Sequence, residues 1–194
     1  LAANPLVRVD FVLSDAKADL IAEQIDVAFR GGAQPDSGYV GRKLLGPRTD
    51  GLVASPAYIA AHGAPATLQD LAQHDCVTAA HPSGRATWRL TGPDGEEEVQ
   101  VTGRFSGNTA QALRRAAVAG LGIALLPPSM GRLDVAAGRL VPVLPQYQRT
   151  GQGLTVLYPS RKHLPLAVSA FIAMVTQKLS TEETLPEAFR SWKT

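Results

Sequence analysis

The chain has one cysteine, Cys76, so no internal disulfide can form and a reducing, cytoplasmic setting is expected. No run approaches the roughly 20 apolar residues of a membrane-spanning helix, and no signal-peptide pattern stands at the start. Leu1-Ala2-Ala3-Asn4-Pro5 reads instead as the end of a helix stopped by a proline, so upstream sequence is expected. Basic residues do not gather: 19 Lys and Arg against 17 Asp and Glu leave a net +2, scattered along the chain. A nucleic-acid footprint would need them on one face.

Catalytic patterns are missing too. The four histidines, His62, His74, His81 and His163, include no i, i+4 pair, and no second cysteine joins them, so no metal site is expected. His62 and His74 fall at helix ends, where a histidine complements the dipole. No serine sits in a nucleophile elbow, and no two acids face one another as a glycosidase requires. Gly120-Leu121-Gly122-Ile123-Ala124-Leu125 starts like a dinucleotide fingerprint. It lacks the third glycine and runs from helix to strand, the reverse of what pyrophosphate binding needs. Cys76 falls inside a predicted strand and reads as buried and inert. Neither an enzyme nor a cofactor is expected.

What remains is ordinary globular composition, 45% hydrophobic and 19% charged over 194 residues, enough for one large domain or two small ones. The most informative stretch is Arg104 to Met130. A short strand, Arg104 to Ser106, leads through Gly107 to an N-cap at Asn108 or Thr109. Ala110, Leu113, Ala117 and Leu121 then recur at helical spacing. Gly120 and Gly122 stop that helix. Ile123 to Leu126 is a short apolar run suited to a strand covered on both faces, and Pro127-Pro128 can open another helix. This is a βαβ unit. Ligands of such sheets lie beyond the carboxyl ends of strands, against helix N-termini. Asn108, Thr109 and Pro127 are therefore expected to face one cleft.

Elsewhere, Val7 to Leu13 alternates like a strand, and Ser14 or Asp15 caps a short helix to about Glu23 with Leu20 and Ile21 facing in. Strands are predicted at Ile25 to Phe29, Tyr39 to Leu45, Gly51 to Ala54 and Cys76 to Ala79. Ser55-Pro56 opens a helix to about Ala61, and Thr67 to Asp70 resembles a capping box. Ala86 to Leu90 and Glu98 to Thr102 flank a turn and read as a hairpin. Ser129 to Ala137 reads as a helix, and Leu140 to Leu144, interrupted by Pro142, as an edge strand. Leu154 to Tyr158 is a strand. The last helix, Pro165 to Leu179, shows the clearest stripe, in Val168, Phe171, Ile172, Val175 and Leu179.

Strands and helices alternate, so the class is α/β. A change of character near Ala80 and glycines at Gly151 and Gly153 predict two lobes, residues 1–79 with 151–194 and residues 80–150, hinged about a cleft. Arg30-Gly31-Gly32, at a strand's carboxyl end, offers a charge and open backbone N–H groups for a carboxylate. A salt bridge to Asp36 or Asp50 is the alternative. His81, after a strand end, can donate to a ligand or stand exposed in a loop.

In this order and spacing, several pieces together resemble the effector-binding domain of LysR-type transcriptional regulators. They are Asp26-Val27-Ala28-Phe29-Arg30-Gly31-Gly32, Leu52-Val53-Ala54-Ser55-Pro56-Ala57-Tyr58, Gly63-Ala64-Pro65 with Asp70-Leu71 and His74-Asp75-Cys76, and Ala119 to Pro127. Ala137 to Pro142 and Tyr158-Pro159-Ser160-Arg161 with His163-Leu164 follow. The resemblance covers about Val7 to Leu179. It implies two Rossmann-like lobes, similar to type 2 periplasmic binding proteins, around a small-molecule effector, and homodimers or higher homo-oligomers. It implies effector contacts after Arg30's strand, at Asn108 and Thr109, and near Pro127. The family's winged helix-turn-helix is not in this chain, so DNA contact would come only through an N-terminal domain. A transport solute-binding protein of the same fold is the rival reading. The effector is expected to be a small anion held by Arg30, Gly31, Gly32, His81, Asn108, Thr109 and Pro127.

Overall fold

The computed structural model describes residues 7–12, 19–31, 39–47, 49–79, 84–151, 153–159 and 164–183, with side chains to 179. These fall into two compact units. Unit 1 draws on Leu1–Pro47 and Gln152–Thr184, and unit 2 on Arg48–Gly151.

Unit 1 holds a three-stranded sheet of β1 (Ala28–Gly31), β2 (Tyr39–Leu45) and β10 (Leu154–Pro159), in the order β1-β10-β2. β10 is antiparallel to both neighbours, so β1 and β2 run the same way and finish at the same end of the sheet. The long helix α4 (Leu166–Glu183) packs on one face, with Phe29 and Phe171 edge-to-face at 6.2 Å. The predicted stripe is the inward one: Ile172 is buried, and Val168, Phe171, Val175 and Leu179 are half-buried.

The predicted first strand does not form. Val7 to Val12 takes no regular structure, and Val9, Phe11 and Val12 are 41%, 78% and 73% exposed. Alternation alone does not make a strand, because the backbone needs a paired neighbour. Of the predicted first helix, the described end, residues 19–24, is a turn. The Asp19 carboxylate accepts the N–H of Ile21 and Ala22 at 3.0 and 3.2 Å. Leu20 is buried as expected, but Ile21 is 63% exposed.

Unit 2 is built on a seven-stranded sheet, β6-β5-β9-β3-β8-β4-β7. Its strands are β3 (Thr49–Ala54), β4 (Cys76–Ala79), β5 (Arg85–Gly92), β6 (Gly95–Thr102), β7 (Ser106–Gly107), β8 (Ile123–Leu126) and β9 (Val141–Thr150). Side chains alternate between two cores. Leu52, Ala54, Cys76, Ile123 and Leu125 face a cluster closed by Trp88, Leu90, Val99 and Val101 of the β5–β6 hairpin. Val53, Val77, Ala124 and Leu126 face Ala116 and Ala117 of α2 (Ala110–Val118). On the first side, α1 (Pro56–His62) and a 3₁₀ turn (Gln69–Gln73) add Tyr58, Leu68 and Leu71. The predicted caps form. Ser55 Oγ accepts the Tyr58 N–H at 3.1 Å, and Asp70 accepts the N–H of Ala66 and Thr67 at 2.9 and 2.8 Å.

The first crossing between units falls at Pro47–Arg48, not near Ala80. The reason is strand pairing: β3 lies between β8 and β9, and β4 beside β8, so residues 49–79 belong to the second sheet. The return crossing lies between Gly151 and Gln152. β9 also corrects the edge-strand expectation, since it sits between β5 and β3. Its first half, with Pro142 opposite Val53, pairs with β3 alone. The register then jumps from Val143 to Gln148, and only past the jump does β5 pair with it, at Thr91. The missing N–H of Pro142 therefore disrupts no second ladder.

α2 and α3 (Pro128–Ala136) are clamped through Asp134, which is 1% exposed. Its carboxylate accepts from Arg114 Nε at 2.6 Å and Arg139 Nε at 2.7 Å. Burial pushes this carboxyl toward neutrality, and the two guanidinium groups more than reverse that, so its pKa lies below the ordinary carboxylate value. Such a group stabilises the fold above the unfolded pKa, about 3.9, and the stabilisation fades as pH falls through the lower folded value. Asp134→Asn is expected to cost about 3 kcal/mol at pH 7 in urea denaturation. The gap from the parent chain should shrink below about pH 4; a gap constant from pH 7 to pH 3 would contradict this role.

Candidate functional site

The geometry of the second sheet sets one edge apart. β4 is parallel to β7 and to β8, so the three strands end together, at Ala79, Gly107 and Leu126. Gly51 at the start of β3 lies opposite Leu126, and Thr49 pairs with Thr150. The edge where these parallel strands finish is thus also where the chain enters and leaves unit 2.

Thr109 is the N-cap of α2, with extended backbone (φ −126°, ψ 141°), and its hydroxyl accepts the Ala112 N–H at 3.2 Å. Asn108 precedes it and is exposed. Pro127 caps α3 without a side-chain acceptor, and Pro128 occupies the first helical position. Two helix N-termini therefore point their unsatisfied amide groups toward this edge. The far end of α2 closes as a Schellman motif: Leu121 N–H reaches Ala116 O and Gly120 N–H reaches Ala117 O, both at 3.0 Å, with Gly120 at φ +82°.

Asn108, Thr109 and Pro127 share this edge. Arg30 and Gly31 are the last two residues of β1 in unit 1, half-buried and exposed respectively. Gly32 and His81 lie outside the described residues. Of the alternative partners for Arg30, Asp50 is taken by Arg149, opposite it across β3 and β9 at 2.6 Å; Asp36 lies outside the described residues. Sequence reasoning missed that ion pair, because a separation of 99 residues carries no local signal.

His62 and His74 serve structure. His62 stacks on the Tyr58 ring at 4.3 Å and its Nδ1 donates to the Tyr58 carbonyl. The Tyr58 hydroxyl accepts the Asp75 N–H at 3.0 Å and shares a hydrogen bond with His74 Nδ1 at 3.1 Å. Burial raises the Tyr58 pKa above its ordinary value. Among the described residues no three His, Cys, Asp or Glu side chains gather as a metal-binding group, and no helix is long and apolar enough to cross a membrane.

This is the architecture of a ligand-binding α/β module, with strand ends and helix N-termini at one edge. The LysR substrate binding domain family matches residues 1–180, and the chain belongs to that family. It is 34% identical over 180 residues to the HTH-type transcriptional regulator PtxR of Pseudomonas aeruginosa, covering 92% of this chain and 57% of that protein. It is 30% identical to the regulator CrgA of Neisseria meningitidis over 90% of this chain and 58% of that one. Among solved structures, the CrgA regulatory domain superposes with a TM-score of 0.80 at 29% identity, covering 92% of this chain and 87% of the other. The AphB regulatory domain of Vibrio vulnificus superposes at 0.75 with 34% identity, covering 91% and 87%. The fold is that of LysR regulatory domains, the two-lobe type 2 periplasmic-binding-protein class. The chain spans about 57% of the length of the curated relatives it matches.

One AphB structure is described as treated with cumene hydroperoxide. Here the only cysteine, Cys76, is 1% exposed. Burial, with Asp75 adding to it, pushes its pKa up to about 12. Roughly one thiol in 10⁴ is then ionised at pH 8. A thiol reagent such as DTNB is expected to label Cys76 only after denaturant is added; stoichiometric labelling of the native chain within minutes would contradict this burial.

Proposed function

We propose that this chain is the effector-sensing domain of a cytoplasmic LysR-type regulator, binding a small anionic molecule without transforming it. The proposed contacts are Asn108, Thr109 and Pro127 in unit 2 and Arg30 and Gly31 in unit 1. Gly32 and His81 complete the set read from the sequence. The observation that carries this reading is the pairing of family membership over residues 1–180 with two helix N-termini at the carboxyl edge of three parallel strands. Helix N-termini favour anions through their amide groups and dipole. In the intact protein, DNA contact would come from an N-terminal domain, and homodimers or higher homo-oligomers would carry the response. The effector acts by binding one arrangement more tightly than another. The relatives are transcriptional regulators, which favours this reading over transport or an enzyme.

A metabolite panel screened by thermal denaturation of the 194-residue chain tests it. A ligand at about 100 times its Kd adds roughly 2.7 kcal/mol, or about 5–10 °C for a chain of this size. Anionic metabolites are expected to give such a rise, and Thr109→Val to reduce it. A rise that Thr109→Val leaves unchanged removes the α2 N-terminus from the site.

A further inference from the structure

Strand pairing in unit 1 brings together three residues that are far apart in sequence. Arg30 of β1 lies opposite Thr155 of β10, and Thr155 lies opposite Lys43 of β2. Directly opposed residues of antiparallel strands project from the same face with Cβ atoms about 5 Å apart. The Thr155 side chain therefore leaves the sheet between those of Arg30 and Lys43. The next row on that face is Ala28, Leu157 and Gly41, which adds no charge. The opposite face is the one on which Phe29 meets α4.

Two features point to a ligand. Thr155 is 7% exposed, yet its hydroxyl has no hydrogen-bond partner among the described residues. A buried hydroxyl left in this state is destabilising, and native structures rarely leave one. The row also lies one step from the sheet end where β1 and β2 finish, at Gly31 and Leu45 opposite Leu154. Carboxyl ends of strands are where sheets of this class take ligands.

We propose that the Arg30–Thr155–Lys43 row recognises a carboxylate of the small-molecule effector. The Thr155 hydroxyl donates to one carboxylate oxygen. Arg30 offers a planar fork suited to carboxylate geometry, and Lys43, exposed on a flexible stem, closes on it from the other side. This rests on the sensing role proposed above and names the chemical class it reads.

The test is a ¹H–¹⁵N NMR titration of the 194-residue chain with succinate, with uncharged succinamide as control at matched ionic strength. Saturable shifts at Arg30, Lys43 and Thr155 are expected with succinate alone. Thr155→Val and the surface change Lys43→Gln should each weaken Kd about ten-fold, the worth of one charge-assisted hydrogen bond, and Lys43→Arg should restore most of it. No saturable shift at the row, or an unchanged Kd in both variants, overturns the proposal. Shifts confined to residues 108–112 overturn the row while leaving the sensing role intact. Shifts at the row without any at those residues support the row and count against the α2 N-terminus.

Discussion

The close approach of β8 to β4 is the constraint on which the candidate site depends. Ile123 N–H donates to the Asp75 carbonyl at 2.9 Å, and this bond sets the parallel register of the two strands. It needs a glycine just before it. Gly122 has φ +147°, and a side chain there would run into the Asp75 backbone. Few side chains other than hydrogen tolerate both the conformation and the contact. With that register set, Leu126 and Ala79 finish at the same edge, and β7 joins them through Thr78 opposite Ser106. The helices that follow β7 and β8 then start side by side, and the buried Asp134 holds them there through Arg114 and Arg139.

The two units differ in how they are held. Unit 2 covers both faces of its sheet: Tyr58, Leu68 and Leu71 close one core together with the inward side chains of the β5–β6 hairpin, and α2 closes the other. Its second core is lined by Ala116, Ala117 and Ala124, so helix and sheet approach closely. Tyr147 ties the hairpin to β9: its hydroxyl donates to Glu97 at 2.9 Å, and its ring lies where a side chain at Gly92 would otherwise stand. The looped segment after Val143, with buried Leu144 at φ +45°, delivers that tyrosine. A non-glycine residue in this conformation persists only where the surroundings over-determine it. Unit 1 has three described strands and one described helix, and the chain ahead of β1 adds Leu20 to its interior.

Local signals were the legible ones. Ser55-Pro56, Thr67 with Asp70, Thr109 and Gly120 each act within a few residues, and each cap forms where the residue types predict. Ile123 to Leu126 is fully buried because its neighbours on both sides and both faces are apolar. Pairing information was not legible. The alternation of Val7 to Val12 carries no statement about whether a neighbour strand exists. The unit boundary moved from Ala80 to Pro47 because nothing local to β3 says which sheet it joins. Asp50 with Arg149, and Arg30 with Thr155 and Lys43, become neighbours only through strand register. Tyr58 looks like a core aromatic in the sequence; its hydroxyl becomes a junction only when Asp75 and His74 are folded against it.

The central claim is that the edge shared by the N-termini of α2 and α3 holds the effector. Backbone hydrogen–deuterium exchange of the chain, with and without a stabilising metabolite, addresses it most directly. The account predicts slowed exchange at Thr109 to Ala112 and Ser129 to Gly131, the first turns of the two helices. Slowing confined to the β5–β6 hairpin or to α1, with both helix starts unchanged, would contradict it.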